Sequence, residues 1–84
     1  MSVQGKAHEI NIVVNARSKK VDKSELTYNE VVALAFDPVP TGDNIVITVA
    51  YRNAEGHTQG TLVQGQTVEV RNGTVFDVTA TDKS

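Results

Sequence analysis

The chain has 84 residues, no cysteine and a formal net charge of −2. This length is expected to form one domain, and one so small buries only about 60% of the surface its unfolded chain exposes, so it depends on regular structure and a compact core. Without thiols there are no disulfide staples, thiolate metal sites or cysteine nucleophile; no apolar run nears the roughly 20 residues of a membrane span, and the mixed charges lack the clustered cations of a nucleic-acid footprint.

The opening MSVQGKAHE has no apolar core of a secretory signal, and residues 1–8 read as a flexible N-terminal segment. A cytoplasmic location fits this and the missing cysteines. Glu9 to Val14 reads as a strand with Ile10, Ile12 and Val14 on one face. Lys19 to Lys23 follows with one apolar residue, Val21, which predicts a β-hairpin. A two-residue Ala16-Arg17 turn puts Val21 opposite Ile12 on the core face; a loop one residue longer would expose it. The cluster Arg17-Ser18-Lys19-Lys20 is read as a solvated hairpin tip.

Thr27 and Glu30 have the spacing of a capping box, in which each side chain satisfies a backbone N–H of the other. Leu26 and Val31 flank it as a hydrophobic staple. The predicted helix runs from Tyr28 to Phe36, with Tyr28, Val31, Val32 and Ala35 on one stripe and Leu34 beside it. Pro38 disfavours helix at Asp37 and ends it.

Asn44 to Arg52 is the most strand-like segment. Ile45, Ile47, Val49 and Tyr51 share one face, and Val46, Thr48 and Ala50 the other. Two fairly apolar faces indicate a central strand or one with an outer contact patch. A turn-rich stretch leads to a short strand at Thr61–Gln64. Thr67–Val70 and Thr74–Ala80 are then read as a second hairpin around Arg71-Asn72-Gly73. A left-handed Gly73 in a bulged loop pairs Val68 with Phe76 and buries Val68, Phe76 and Val78 together. A tighter loop would instead bury Glu69. Strand, strand, helix, then further strands is an α+β order. Placing the first and last strands side by side in parallel gives a β-grasp: a mixed four- to five-stranded sheet with one helix on one face. The domain is assigned to 9–80 and the tail to 81–84.

No catalytic or metal site stands out. His8 and His57 lack the convergent partners that metal ligation needs, the carboxylates are scattered singly, and Gly56, Gly60 and Gly65 lack the Lys-Ser/Thr of a phosphate loop. The chain is therefore not expected to be an enzyme, nor to hold a metal or cofactor. A surface remains. If Ile45, Ile47, Phe76 and Val78 face the helix, then Val46, Thr48, Val75, Asp77 and Thr79 face away, on a sheet face available to a partner.

Taken together, VVNARSKKV, LTYNEVVALAF, a Pro-rich loop, VITVAYRN and GTLVQGQTVEVRNGTVFDVTATDKS resemble the bacterial multiubiquitin domain, a ubiquitin-like β-grasp family, from about Ile10 to Ser84. The resemblance implies a protein modifier. Its partners would be ubiquitin-activating-like and conjugating-like enzymes, a metal-dependent deubiquitinase-like peptidase and target proteins, plausibly in antiphage defence. The activating enzyme, using ATP and magnesium, would adenylate the Ser84 carboxylate; Thr81, Asp82 and Lys83 would form the threading tail, and Val46, Thr48, Val75 and Asp77 the docking face. The tail lacks ubiquitin's Gly-Gly, which also counts against a sulfur carrier. Lys6, Lys19, Lys20, Lys23 and Lys83 are candidate acceptors if chains form. The alternative is a non-covalent β-grasp interaction module with an inert C-terminus.

Overall fold

Thr27 starts the helix as its sequence predicts. The Thr27 hydroxyl accepts from the Glu30 N–H at 3.1 Å, and the Glu30 carboxylate accepts from the Thr27 N–H at 2.9 Å. The computed structural model describes residues 9–82; the expected N-terminal segment 1–8 lies outside them, as do Lys83 and Ser84. In chain order the elements are β1 (Ile10–Val14), β2 (Arg17–Val21), β3 (Glu25–Thr27), α1 (Tyr28–Ala35), β4 (Ile45–Arg52), β5 (Gly60–Leu62), β6 (Thr67–Glu69) and β7 (Val75–Asp82). A five-stranded sheet has the order β2-β1-β7-β4-β5, and β3 and β6 form a separate two-stranded ribbon. β1 and β7 are parallel, and β1–β2, β4–β7 and β4–β5 are antiparallel.

α1 lies on one face of the sheet and packs its Val31 and Val32 against Ile12, Val14, Val49, Phe76 and Val78. Phe76 and Val31 are fully excluded from solvent. Leu26, just before the cap, is buried with Val31, so the staple is present. The Phe36 N–H still reaches the Val32 carbonyl at 3.0 Å while Phe36 itself is extended, which ends the helix one residue before the expected boundary.

Three local expectations change. The β1–β2 turn is Asn15-Ala16 rather than Ala16-Arg17, with both residues at positive φ (51° and 68°). Asparagine tolerates this left-handed region better than arginine does. Val21 therefore pairs with Ile10, not Ile12, but keeps its place on the core face. For the same reason Arg17–Lys20 lie in β2 instead of forming a hairpin tip.

The expected β6–β7 hairpin is absent. β7 is a central strand with β1 on one side and β4 on the other, so neither of its edges is free for β6. β6 instead pairs with β3, Leu26 opposite Val68, and the Val70 N–H donates to the Ser24 carbonyl at 2.8 Å. The Asn72-Gly73 corner is taken up by β1. Asn11 donates its N–H to Asn72 Oδ1 at 2.8 Å, and the Gly73 N–H donates to the Asn11 carbonyl at 2.9 Å. Gly73 is left-handed as expected (φ 95°), and Val68, Phe76 and Val78 share the core.

Lastly, β7 extends past Ala80, so Thr81 and Asp82 are strand residues opposite Val46 and Ile45. Thr81 and Asp82, expected in the tail 81–84, are therefore paired residues of the sheet.

Candidate functional site

The sheet face opposite α1 carries alternate side chains of each strand. Thr48 stands opposite Thr79, Val46 opposite Thr81, Ala50 opposite Asp77 and Arg52 opposite Val75. Val46 is 42% exposed, Thr48 and Asp77 are exposed, and Val75 is half-buried. All four expected docking residues thus share this uncovered face. Arg52, which the sequence reading left out, belongs with them: its Nη1 lies 2.9 Å from Asp77 Oδ2. Both partners are well exposed, so the pair contributes at most about 1 kcal/mol. Its consequence is a charge-neutral pair among the Thr, Val and Ala side chains that β4 and β7 place on this face.

The C-terminal part of β7 has an unusual setting. Asn15 donates its N–H to the Phe76 carbonyl at 3.0 Å, and its side-chain amide then takes over where β1 ends. Oδ1 accepts from the Val78 N–H at 2.7 Å, and Nδ2 donates to the Val78 carbonyl at 3.0 Å. One side chain thereby extends the parallel ladder by a further step. Beyond it, β1 has turned into the hairpin, and the ladder partner of Thr79–Asp82 is β4. β4 is also thinly supported there, because β5 covers only Val49–Tyr51. Ile45–Thr48 and Thr79–Asp82 therefore form a two-stranded extension of the sheet. All four β7 residues in it are exposed. Isolated two-stranded ribbons are marginally stable in water.

Alternation fixes which backbone groups do what. Phe76 and Val78 direct theirs to β1 and Asn15, so Asp77, Thr79 and Thr81 direct theirs to β4.

The opposite end of β7 is tied in by side-chain hydrogen bonds. Thr74, fully buried, donates its hydroxyl to the Asn53 carbonyl at 3.0 Å and accepts from the Arg71 N–H at 2.9 Å. Asn53 Oδ1 accepts from Arg71 Nη2 at 3.1 Å, and Nδ2 donates to the Gly73 carbonyl at 3.1 Å. His57 Nδ1 lies 3.3 Å from Asn53 Oδ1, so this histidine closes a turn. Among the described residues, no group of three or more His, Cys, Asp or Glu could hold a metal ion, and no helix is long and apolar enough to cross a membrane.

Of the expected tail, Thr81 and Asp82 sit in the two-stranded extension, while Lys83 and Ser84 lie outside the described residues. Sequence reasoning missed Asn15. Its signal was an asparagine directly after the last core valine of β1, at a position where the chain must turn.

A mixed sheet whose first and last strands run parallel at its centre, crossed by one helix, is a β-grasp, the fold of ubiquitin-like proteins. The family model for multiubiquitin matches residues 10–82, and the chain belongs to that family. No curated protein and no solved structure matches the chain.

Proposed function

We propose that this protein is a bacterial ubiquitin-like modifier. An activating-like enzyme, using ATP and magnesium, adenylates its C-terminal carboxylate, and conjugating-like enzymes pass it to target proteins; a metal-dependent deubiquitinase-like peptidase removes it or trims its tail. The setting is the cytoplasm, in antiphage defence. In this reading the protein is a substrate of those enzymes and not itself a catalyst. Val46, Thr48, Val75 and Asp77 form the docking face, and Thr81 to Ser84 the tail that enters the enzyme.

One observation carries the reading: Thr79, Ala80 and Thr81 are exposed, and their ladder partner is β4. A substrate tail must leave its own body to enter another protein's site. Separating Thr79–Asp82 from β4 exposes little apolar surface, since Phe76 and Val78 stay buried on the Asn15 side of the break.

The pairing of Thr81 and Asp82 with Val46 and Ile45 favours a second reading, a non-covalent interaction module that uses the same sheet face. Intact-mass analysis after incubation with ATP, magnesium and the cognate activating enzyme separates the two. The modifier reading predicts an adenylate or a covalent adduct that disappears when the last four residues are deleted. A chain of unchanged mass that still binds its partners after the deletion establishes the module instead.

A further inference from the structure

The sequence has one Asn-Gly pair, Asn72-Gly73. Asparagine amides are chemically labile, and most so before glycine, whose missing side chain leaves the next amide nitrogen unhindered. That nitrogen attacks the asparagine side-chain carbonyl carbon. The new C–N bond closes a succinimide, the bond to the amide NH2 breaks, and ammonia leaves with the proton given up by the attacking nitrogen. Water then opens the ring at either carbonyl, giving aspartate or isoaspartate.

In this fold one residue of β1 holds both reacting groups. The two-residue Asn15-Ala16 turn makes Val14 and Arg17 a hydrogen-bonded pair, so by alternation Asn11 and Lys20 are a non-hydrogen-bonded pair. The backbone groups of Asn11 therefore point away from β2, towards the Asn72-Gly73 corner. Its N–H donates to Asn72 Oδ1 at 2.8 Å, and its carbonyl accepts from the Gly73 N–H at 2.9 Å. The attacking nitrogen thus keeps its proton on a carbonyl acceptor. Closing the ring requires the Asn72 side chain and the Gly73 amide to turn towards each other, and either rotation breaks a bond to Asn11.

The corner is also fixed on its other sides. The Thr74 N–H donates to the Arg71 carbonyl at 3.0 Å, the Val13 N–H to the Thr74 carbonyl at 2.9 Å, and Asn53 Nδ2 to the Gly73 carbonyl at 3.1 Å. Asn72 is itself exposed, so hydrogen bonding and not burial protects it. β1 lies between β2 and β7, which ties release of the corner to the parting of central strands.

We propose that Asn72 is a deamidation site gated by Asn11: the folded chain holds it unreacted, and parting of β1 from the corner admits the reaction. The two products differ in consequence. Aspartate keeps a side-chain oxygen for the Asn11 N–H. Isoaspartate routes the backbone through the former side chain and adds a methylene before Gly73. The Gly73 N–H and the Thr74 carbonyl then no longer meet Asn11 and Val13 in register, and the parallel β1–β7 pair loses its entry. The modification needs no enzyme and does not depend on conjugation.

The test incubates the full chain at mildly alkaline pH and body temperature, folded or unfolded in guanidinium chloride. Peptide mass mapping follows replacement of the Asn72 amide by a carboxyl. The reaction should be at least about 100-fold slower in the folded chain, because central strands open at close to the cost of global unfolding. Thr27→Ala, remote from the corner, should quicken the folded-state reaction by the factor its lost stability predicts, about 5-fold, and leave the unfolded-state rate unchanged. Of the two products, separated by chromatography and refolded, the isoaspartate form should have the lower unfolding midpoint. Equal folded and unfolded rates would overturn the proposal. So would a folded-state rate that ignores the lost stability, equal midpoints for the two products, or conversion that maps mainly to another asparagine.

Discussion

Removing the Asn15 side chain should destabilise the protein out of proportion to its exposure. Asn15 makes two hydrogen bonds to the backbone of Val78, at 2.7 and 3.0 Å, and occupies a left-handed turn position. Asn15→Gly keeps the backbone conformation accessible and removes both bonds, at about 1 kcal/mol each, so it should cost about 2 kcal/mol. Asn15→Ala adds the left-handed penalty of about 1 kcal/mol, for about 3 in all. The chain's length implies a total stability of about 4–12 kcal/mol, so either loss is a large fraction. Urea unfolding followed by circular dichroism is the assay. With a slope of about 1 kcal/mol per molar urea for so small a domain, Asn15→Gly should lower the midpoint by about 2 M at an unchanged slope. A midpoint shift under about 0.5 M would refute the claim that this side chain serves as a step of the sheet ladder.

Other consequences are open to simpler measurements. Phe76→Ala, at a fully buried position under α1, should cost about 3–5 kcal/mol in the same assay. Thr27→Ala, by losing the cap, should cost about 1 kcal/mol. The Lys23 ammonium beside Glu30, and then the Thr27 N–H, hold the Glu30 carboxyl below its ordinary value of 4.5. A depressed carboxyl stabilises the fold fully above that ordinary value, and the contribution fades as pH falls through the lowered one. Glu30→Gln should therefore flatten the acid side of the stability profile and leave its slope at alkaline pH unchanged. Val46→Asp on the uncovered sheet face should leave the unfolding midpoint within about 0.5 kcal/mol of the parent while abolishing activating-enzyme binding in a pull-down with that enzyme.

The readable parts of the sequence were those where a local rule and burial agree. Thr27 and Glu30 marked the helix start because capping chemistry acts across three residues. The alternation of Ile45 to Tyr51 assigned both faces of β4, and with them the uncovered face of the sheet. The misread parts depended on long-range competition for backbone partners. Nothing near Val68 indicates that β7 is occupied by β1 and β4, so β6 looked like its hairpin partner and not that of β3. The turn at Asn15 was misplaced by one residue because the face of Val21 cannot separate two registers that differ by two. The partner that does, Val78, lies 63 residues away. The strand end was misjudged at Ala80 because Thr81 and Asp82 have polar side chains, and only the facing Val46 and Ile45 draw them into the ladder.

The modifier reading rests on a C-terminal strand that releases while the body stays folded. Residue-resolved amide hydrogen exchange on the full chain measures this directly. The informative amides are those of β7 that face β4: Asp77, inside the body, and Thr79 and Thr81, in the two-stranded extension. The account predicts that Thr81 opens at about 0–1 kcal/mol, that Thr79 is intermediate, and that Asp77 exchanges only with global unfolding, at about 4–12 kcal/mol. Protection of Thr79 and Thr81 equal to that of Asp77 would contradict it, because the tail would then be part of the cooperative core.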